Sequence, residues 1–287
     1  MKFVTFRRSG SAPEPGVAVD QRVIGLSGAG YPSLLDIIEN WGAAKSVVEA
    51  YVANAPQEAV SKAADVTLLA PIPRPRKLIC VGLNYRDHAA ESKMEIPSVP
   101  TIFSKFASSV IGPGEDIVLP KNSVKPDYEA EFAFVIGKPG RHVPADRWQE
   151  HVFGYTIVND VSARDFQMAT SQWLMGKTFD TFAPVGPWIV TADQIADPHQ
   201  LDIRMTISGQ VLQNSNTREL IFRIPELVAY LSSAFTLEPG DIVSTGTPAG
   251  VGFGHKPPRW LKAGDECVVY VEGIGELRNP VVAESQA

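Results

Sequence analysis

Cysteine is scarce in this sequence, whose 287 residues include only Cys80 and Cys267. Both lie in apolar, strand-like runs, KLICVGL and DECVVYV, where a thiol behaves as a small hydrophobic group. Two cysteines in such runs do not suggest a disulfide framework. This usage fits a reducing compartment.

Long apolar runs and a basic excess are also lacking. No run approaches the roughly 18 residues that cross a bilayer, and the opening MKFVTFRRSG has no signal-peptide core. The net charge of -6 argues against a protein that binds the phosphates of a nucleic-acid backbone, because such binding needs a basic surface. We therefore expect a cytoplasmic protein that binds neither membranes nor nucleic acid.

Several familiar catalytic motifs are missing. There is no G-x-S-x-G elbow and no H-E-x-x-H pair, which argues against a serine hydrolase and a zinc peptidase. The glycines of GVGFG at 250–254 lack a following helical pattern, so we interpret them as a turn lining a pocket and not as a phosphate loop.

Strand patterns dominate the chain, and they predict an α+β, mainly β, fold. Residues 1–70 alternate short strands with two amphipathic helical patterns, which indicates a small N-terminal α+β domain. The proline-rich APIPRPRK at 70–77 is typical of a linker. The catalytic domain, 71–287, has many strands and few helices, which favours a closed or rolled β core over a doubly wound sheet.

Three helices and one hairpin are predicted in the larger domain. One helix begins near Asn84, which can cap it, with Asp87 in its first turn. A second lies around SARDFQMATSQWLM, and a third, IPELVAYLSSAF, has Pro225 in its first turn. The hairpin RMTISGQVLQN turns at 208–209.

Three acids are placed to share one site. Glu129 and Glu131 alternate at the start of a strand, so they project to one face. Asp160 ends the strand-like run FGYTIVND and would reach the same sheet edge. Uncompensated acids would repel one another, and an all-oxygen ligand set suits Mg²⁺ or Mn²⁺. A bare E-x-E is far more often a solvated strand face, however.

Candidate catalytic side chains lie elsewhere in the chain. On the helix after Asn84, His88 and Glu91 are three apart and share a face, so the carboxylate could orient the imidazole as a general base. An ordinary exposed pair is the alternative. Lys177, in LMGKTFDTFAP, is either a surface charge or a group that binds a substrate carboxylate or stabilises an enolate.

These segments together resemble the fumarylacetoacetate hydrolase family. The matching pieces occur in the family's order from about residue 76 to the end: GLNYRDHAAE, PDYEAEFAFVIGK, GYTIVNDVSARDFQ, GKTFDTFAPVGPWIV, GDIVSTGTPAGVG and LKAGDECVVYVEGIGELRNPV. The N-terminal region also resembles that of the bacterial branch with acylpyruvate hydrolases, dienedioate isomerases and oxaloacetate decarboxylases.

The resemblance implies a mixed β-roll core that assembles as a homodimer. It implies that Mg²⁺ or Mn²⁺ is held by Glu129, Glu131 and Asp160. By the same resemblance His88 and Glu91 activate water when a lid closes, and Lys177 lies beside the substrate. The positions that match substrate-binding ones are Arg164, Asp165, Gln167 and Thr247.

The reaction expected from these residues is metal-dependent cleavage of a small 2-oxo acid. In the hydrolytic version, favoured here because of His88 and Glu91, hydroxide attacks the 4-oxo carbonyl of an acylpyruvate or fumarylpyruvate-like substrate and an enolate of pyruvate leaves. The alternative is an oxaloacetate decarboxylase or a dienedioate isomerase or decarboxylase on the same site. A catalytically silent metal-binding scaffold is a third hypothesis.

Overall fold

A computed structural model describes residues 1–285 of the chain, with nineteen strands and six α-helices among them. The strands are β1 (Lys2–Arg8), β2 (Glu14–Val19), β3 (Arg22–Gly25), β4 (Val60–Lys62), β5 (Val66–Leu69), β6 (Leu78–Gly82), β7 (Thr101–Lys105), β8 (Val110–Ile111), β9 (Ile117–Leu119), β10 (Pro126–Asp127), β11 (Ala130–Ile136), β12 (Val152–Asn159), β13 (Ser162–Ala163), β14 (Ala183–Thr191), β15 (Asp202–Ile207), β16 (Gln210–Asn216), β17 (Ile242–Ser244), β18 (Glu266–Val271) and β19 (Gly275–Ala283). The helices are α1 (Leu34–Glu39), α2 (Trp41–Ala53), α3 (Arg86–Ser92), α4 (Arg164–Gln167), α5 (Leu174–Lys177) and α6 (Ile224–Ala234).

Two sheets build most of the molecule, and their mixed pairing confirms the predicted α+β, mainly β class. The larger has twelve strands, with the path β4-β3-β2-β1-β14-β12-β11-β17-β6-β7, β5 on β1 and β8 on β14. Most neighbours are antiparallel, but β17 pairs with β6 in parallel. The smaller sheet has the order β16-β15-β18-β19-β9. No doubly wound βαβ arrangement is present in residues 1–285.

The N-terminal strands continue into the larger sheet. β1 pairs antiparallel with β14, where Lys2 faces Val190 and Phe3 faces Ile189. Residues 70–77 form neither strand nor helix. The division into 1–70 and 71–287 remains a prediction, since the two parts share backbone hydrogen bonds across one sheet.

Strand β11 lies at the centre of the core and is buried on both faces. Phe132, Phe134 and Ile136 pack in the hydrophobic cluster that includes the smaller sheet, whereas Ala133 and Val135 pack in the cluster that includes α1 and α2. Side chains alternate along a strand, so Glu131 points to the same face as Ala133 and Val135. This alternation carries the acidic side chains to one end of a face that is otherwise apolar.

Local details confirm some predictions and correct others. The hairpin turns at Ser208 and Gly209, both with positive φ, and Cys80 and Cys267 are buried free thiols. Asn84 does not cap α3; its side chain instead donates to the carbonyls of Phe222 and Thr245. The predicted helix around SARDFQMATSQWLM is two short helices, α4 and α5. Pro225 occupies the first turn of α6 as expected.

Candidate active site

The three predicted acids converge. One carboxylate oxygen from each of Glu129, Glu131 and Asp160 lies within 4.8 Å of the others, and all three residues are buried. Strands β11 and β12 place them, because Ala130 pairs with Asn159 and the N–H of Asp160 donates to the carbonyl of Glu129. The adjacent positions before β11 and after β12 therefore meet at one sheet edge.

Basic side chains surround two of these acids. The Lys177 ammonium lies 2.6 Å from Glu129 Oε2 and 2.8 Å from Asp160 Oδ2. Arg164 Nη2 lies 2.7 Å from Glu129 Oε1, and Lys105 Nζ lies 2.6 Å from Asp160 Oδ1. The three acids and these three basic side chains are together called the charged floor below. The third acid, Glu131, instead accepts hydrogen bonds from the Ser244 hydroxyl and the Gly246 N–H.

The two glutamates have opposite pKa shifts. Burial tends to raise the pKa of Glu129, but the charges of Lys177 and Arg164 outweigh it and hold the pKa below its ordinary value. For Glu131, burial and the nearby charges of Asp160 and Glu129 act together and raise its pKa well above the ordinary value. Lys177 stays cationic, because the charges of Asp160 and Glu129 more than offset the effect of burial and raise its pKa.

These charges fit a bound divalent cation. Arg164 also pairs with Asp127 at 2.9 Å, so four buried carboxylates share three basic groups. The raised pKa of Glu131 marks the carboxylate that lacks a counter-ion. Three buried carboxylates without a Cys or His in the same group form an oxygen donor set suited to Mg²⁺ or Mn²⁺ and not to zinc. A bound divalent ion would add positive charge beside these carboxylates, which favours an anionic substrate.

His88 and Glu91 form the second part of the site. Both lie on α3, with His88 Nδ1 3.5 Å from Glu91 Oε2 at ion-pair distance. The N–H of Gly250 donates to both Glu91 oxygens at 3.1 Å, which joins α3 to the 250–254 turn. Burial tends to raise the pKa of Glu91, but His88 and Gly250 outweigh it and lower the pKa. The carboxylate thus stays ionised and able to orient the imidazole.

One cavity of 630 Å³ unites these groups. Eight of the ten predicted site residues line it: His88, Glu91, Glu129, Glu131, Arg164, Gln167, Lys177 and Thr247. Asp160 lies behind the lining with its side chain fully buried, bonded to Lys105 and Lys177. The turn predicted at 250–254 contributes Val251, Phe253 and Gly254 to the wall.

Asp165 is the predicted substrate-binding residue that the structure does not bring to the cavity. Its carboxylate accepts hydrogen bonds from the Ser123 hydroxyl and the Val124 N–H. On a short helix, successive side chains point about 100° apart, and these hydrogen bonds hold the Asp165 side chain in a direction different from that of Arg164. The Asp165 carboxylate therefore does not line the cavity, contrary to the substrate-binding position predicted for it.

Two members of the charge network were not predicted from the sequence. Asp127 accepts hydrogen bonds from Arg164 and from the N–H groups of Gly252 and Phe253, so it links the charged floor to the turn that holds Glu91. Asp127, Glu129 and Glu131 form a D-x-E-x-E pattern in the sequence. Strand alternation along this pattern would have predicted that Asp127 lies on the same face as the two glutamates. Lys105 is a charge in the otherwise strand-like run TIFSKF.

Comparison with known proteins agrees with this geometry. Residues 77–282 match the sequence model of the fumarylacetoacetate (FAA) hydrolase C-terminal domain, which is more than half of the chain. The chain belongs to the fumarylacetoacetate hydrolase family. The family resemblance and the fold expected from the sequence are thereby confirmed.

Individual relatives carry out different reactions. The Bos taurus protein named oxaloacetate tautomerase FAHD2A, mitochondrial, is 48% identical over 252 residues, which are 87% of this chain and 80% of that one. Maleylpyruvate hydrolase from Sphingobium, solved with manganese and pyruvate, has a TM-score of 0.84 and 30% identity, covering 99% of this chain and all of its own. The 2-hydroxyhepta-2,4-diene-1,7-dioate isomerase from Mycobacterium marinum has a TM-score of 0.78 and 34% identity over both whole chains.

Proposed function

We propose that this member of the fumarylacetoacetate hydrolase family is an Mg²⁺- or Mn²⁺-dependent enzyme that interconverts the keto and enol forms of oxaloacetate. One observation carries the proposal: His88 and Glu91, which are suited to proton transfer, line the same cavity as residues of the charged floor. The choice of oxaloacetate is supported by the name of the bovine relative.

The cation would be held by Glu129, Glu131 and Asp160 and would supply Lewis-acid polarisation of the 2-oxo group. The chain's own residues bind and orient the acid. Arg164 and Lys177 line the cavity as buried cations suited to a carboxylate. The Thr247 hydroxyl accepts from Gln213 Nε2 at 2.8 Å, which fixes its direction at the cavity wall and leaves its proton available for a substrate oxygen.

Tautomerisation needs one proton moved between two substrate atoms. His88 takes the proton from C3, so the C3–H bond breaks and its electrons form the C2–C3 double bond. His88 then delivers that proton to the 2-oxo oxygen, which forms the enol O–H, while the Lys177 ammonium stabilises the negative charge that develops on this oxygen. Glu91 holds the imidazole and stabilises its charged form. The reverse steps regenerate the keto acid, and no redox partner is required.

Hydrolysis of an acylpyruvate, the reaction favoured from the sequence, becomes the second candidate. It is supported by the same pair, because His88 with Glu91 can take a proton from water, and by the maleylpyruvate hydrolase neighbour. The bovine relative and the dienedioate isomerase favour the tautomerase and isomerase alternative. Oxaloacetate decarboxylation would use the same charged floor without an attacking water.

The deciding experiment separates these reactions by their products. Purified protein is incubated with Mg²⁺, Mn²⁺ or EDTA and either oxaloacetate or acetylpyruvate, while enol absorbance and pyruvate are followed against enzyme-free controls. We expect metal-dependent acceleration of the enol–keto change without pyruvate. Pyruvate from oxaloacetate would mean decarboxylation, and pyruvate from acetylpyruvate would mean hydrolysis. No turnover of either substrate would contradict the proposal and favour the silent scaffold.

Assembly and location are separate proposals. A homodimer, expected from the family resemblance, would be tested by light scattering coupled to size-exclusion chromatography. No helix in residues 1–285 is long and apolar enough to cross a membrane. We keep the cytoplasmic location as a prediction, to be checked by fractionation of the source cells, because the bovine relative is named as mitochondrial.

A further inference from the structure

The cavity lining beyond the charged floor and the pair of His88 and Glu91 is mostly apolar, with two lysines and a serine among it, and is called the apolar half below. Oxaloacetate has almost no apolar surface to match it. Three large side chains on its rim are more than half exposed: Met94 at 53%, Met168 at 67% and Phe253 at 54%. Exposed apolar side chains grouped around a concave site mark ligand-binding grooves. At 630 Å³ the cavity also falls in the size range that holds much larger ligands than a four-carbon acid.

A packed aromatic wall forms one side of this apolar half. The Trp173 and Phe103 rings meet edge to face with centroids 5.6 Å apart. Trp173 can lie against the end of β6 because residue 82 is glycine, where any Cβ would overlap the indole. Two rings fixed in this way, with their planes 70° apart, present a rigid aromatic surface to the cavity.

The aromatic wall reaches the charged floor directly. The Lys177 ammonium lies 5.1 Å from the Phe103 ring centroid, over the ring, while it also bonds Glu129 and Asp160. A 2-oxo acid whose carboxylate and carbonyl lie on the charged floor would therefore direct its C3 substituent along the wall. Burial of a flat apolar group there would also cover the methionine and phenylalanine side chains of the rim.

We propose that this apolar half is a subsite for a flat, apolar substituent on C3 of the 2-oxo acid, so that the enzyme also takes aryl-substituted substrates. The inference rests on the proposed function, since the same C3–H and enol O–H bonds break and form. Trp173 is the residue that sets this specificity, and Gly82 is the residue that permits its position.

Phenylpyruvate is the direct probe, because it carries a phenyl group where oxaloacetate carries a carboxylate. Enol–keto conversion of both acids is measured in the ultraviolet with wild type, Trp173→Ala, Trp173→Phe and Gly82→Ala. Met175→Ala is the control, because Met175 is exposed, lies two residues from Trp173 and does not line the cavity. Quenching of tryptophan fluorescence by phenylpyruvate, compared between wild type and Trp173→Phe, reports binding independently of turnover.

We expect wild type to convert phenylpyruvate with kcat/KM within about tenfold of oxaloacetate, because ring burial offsets the lost carboxylate. Trp173→Ala and Gly82→Ala should each lower the phenylpyruvate to oxaloacetate ratio of kcat/KM by about tenfold or more, with Trp173→Phe intermediate and Met175→Ala unchanged.

Other outcomes separate the two proposals. Oxaloacetate turnover with neither conversion nor binding of phenylpyruvate would overturn the subsite and leave the proposed function intact. Phenylpyruvate turnover with an unchanged ratio in both Trp173→Ala and Gly82→Ala would overturn the assignment to this wall. If neither acid is converted, the proposed function fails. Saturable quenching of tryptophan fluorescence by phenylpyruvate in wild type, lost in Trp173→Phe, would still support the subsite, and no saturable quenching in wild type would overturn it.

Discussion

The charged floor and the dyad of His88 and Glu91 share a cavity but are built in different ways. In the charged floor, the side chains of Lys105 and Asp160 have no exposure and that of Lys177 has 2%, whereas His88 and Glu91 are 15% and 26% exposed. The acids of the charged floor are placed by paired strands, but the dyad lies on the seven-residue helix α3.

In the proposed reaction, this difference separates the binding of metal and substrate from proton transfer. Separating the partners of a buried ion pair leaves an unpaired charge inside the protein, which is strongly destabilising. The charged floor is therefore held in one arrangement. The dyad makes a single ion-pair contact and one backbone contact, and it can adjust when a substrate enters. Variants of the charged floor should therefore change metal binding and stability, while variants of the dyad should change the rate alone.

The largest effect is expected from Glu131→Ala. It removes a proposed metal ligand and the acceptor of two hydrogen bonds, so Mn²⁺ binding by calorimetry should disappear and kcat/KM should fall by roughly a thousandfold or more. Glu150→Ala, at an exposed acid remote from the cavity, is the matched control. Full activity in Glu131→Ala would remove Glu131 from the metal site.

His88→Asn should reduce turnover by about 10²- to 10⁴-fold while Mn²⁺ affinity stays within about twofold, since the proposed mechanism uses the imidazole for proton transfer and the proposed metal site does not include it. His142→Asn is the control, because His142 is exposed and Asn tolerates its left-handed backbone. Unchanged turnover in His88→Asn would exclude the imidazole as the base.

The two glutamates should affect stability in opposite directions when EDTA removes metal. Glu129→Gln leaves Lys177 and Arg164 short of a partner and should lower the free energy of unfolding by about 3 kcal/mol. Glu131→Gln removes the carboxylate without a counter-ion and should raise it. Urea titrations of both variants measure the difference, and a loss in Glu131→Gln as large as that in Glu129→Gln would contradict this charge balance.

The effect of Glu131→Gln should grow with pH. The pKa of Glu131 is raised in the folded state, so folding favours the protonated form of this side chain. The stability that comes from protonation is complete below the ordinary pKa of 4.5 and is lost as pH rises through the higher pKa of the folded state. In EDTA, the stability gain of Glu131→Gln over wild type should therefore be smallest in acid and largest at neutral pH. A gain independent of pH would show that Glu131 is not an ionised, unpaired carboxylate.

Asp127→Asn is expected to have the smallest effect on activity, and it tests the residue that links the charged floor to the turn beside Glu91. Loss of its charge weakens its bonds to Arg164 and to the turn that holds Glu91, which should lower kcat by about tenfold with Mn²⁺ affinity nearly unchanged. Asp165→Asn, whose carboxylate faces Ser123 outside the cavity, should leave both values unchanged. Equal losses in the two variants would exclude a special role for Asp127.

Short-range patterns predicted much of the site. Alternation along a strand placed Glu129 and Glu131 on one face, and helical spacing placed His88 beside Glu91. The same local reasoning misassigned Asn84 as a cap, because its amide is used by the distant carbonyls of Phe222 and Thr245. It also could not show that Asp165 turns away from the cavity.

The sequence by itself determined the class of fold, the family and the identity of the acids, because strand alternation, helix periodicity and ordered motifs are properties of neighbouring residues. Only the tertiary structure decided which charges meet. Lys105 is 55 residues from Asp160 along the chain, and Gly250 is 159 residues from Glu91. The balance between burial and neighbouring charges then fixes the signs of the pKa shifts, because the energy of a charge depends on the surroundings that the folded chain assembles around it.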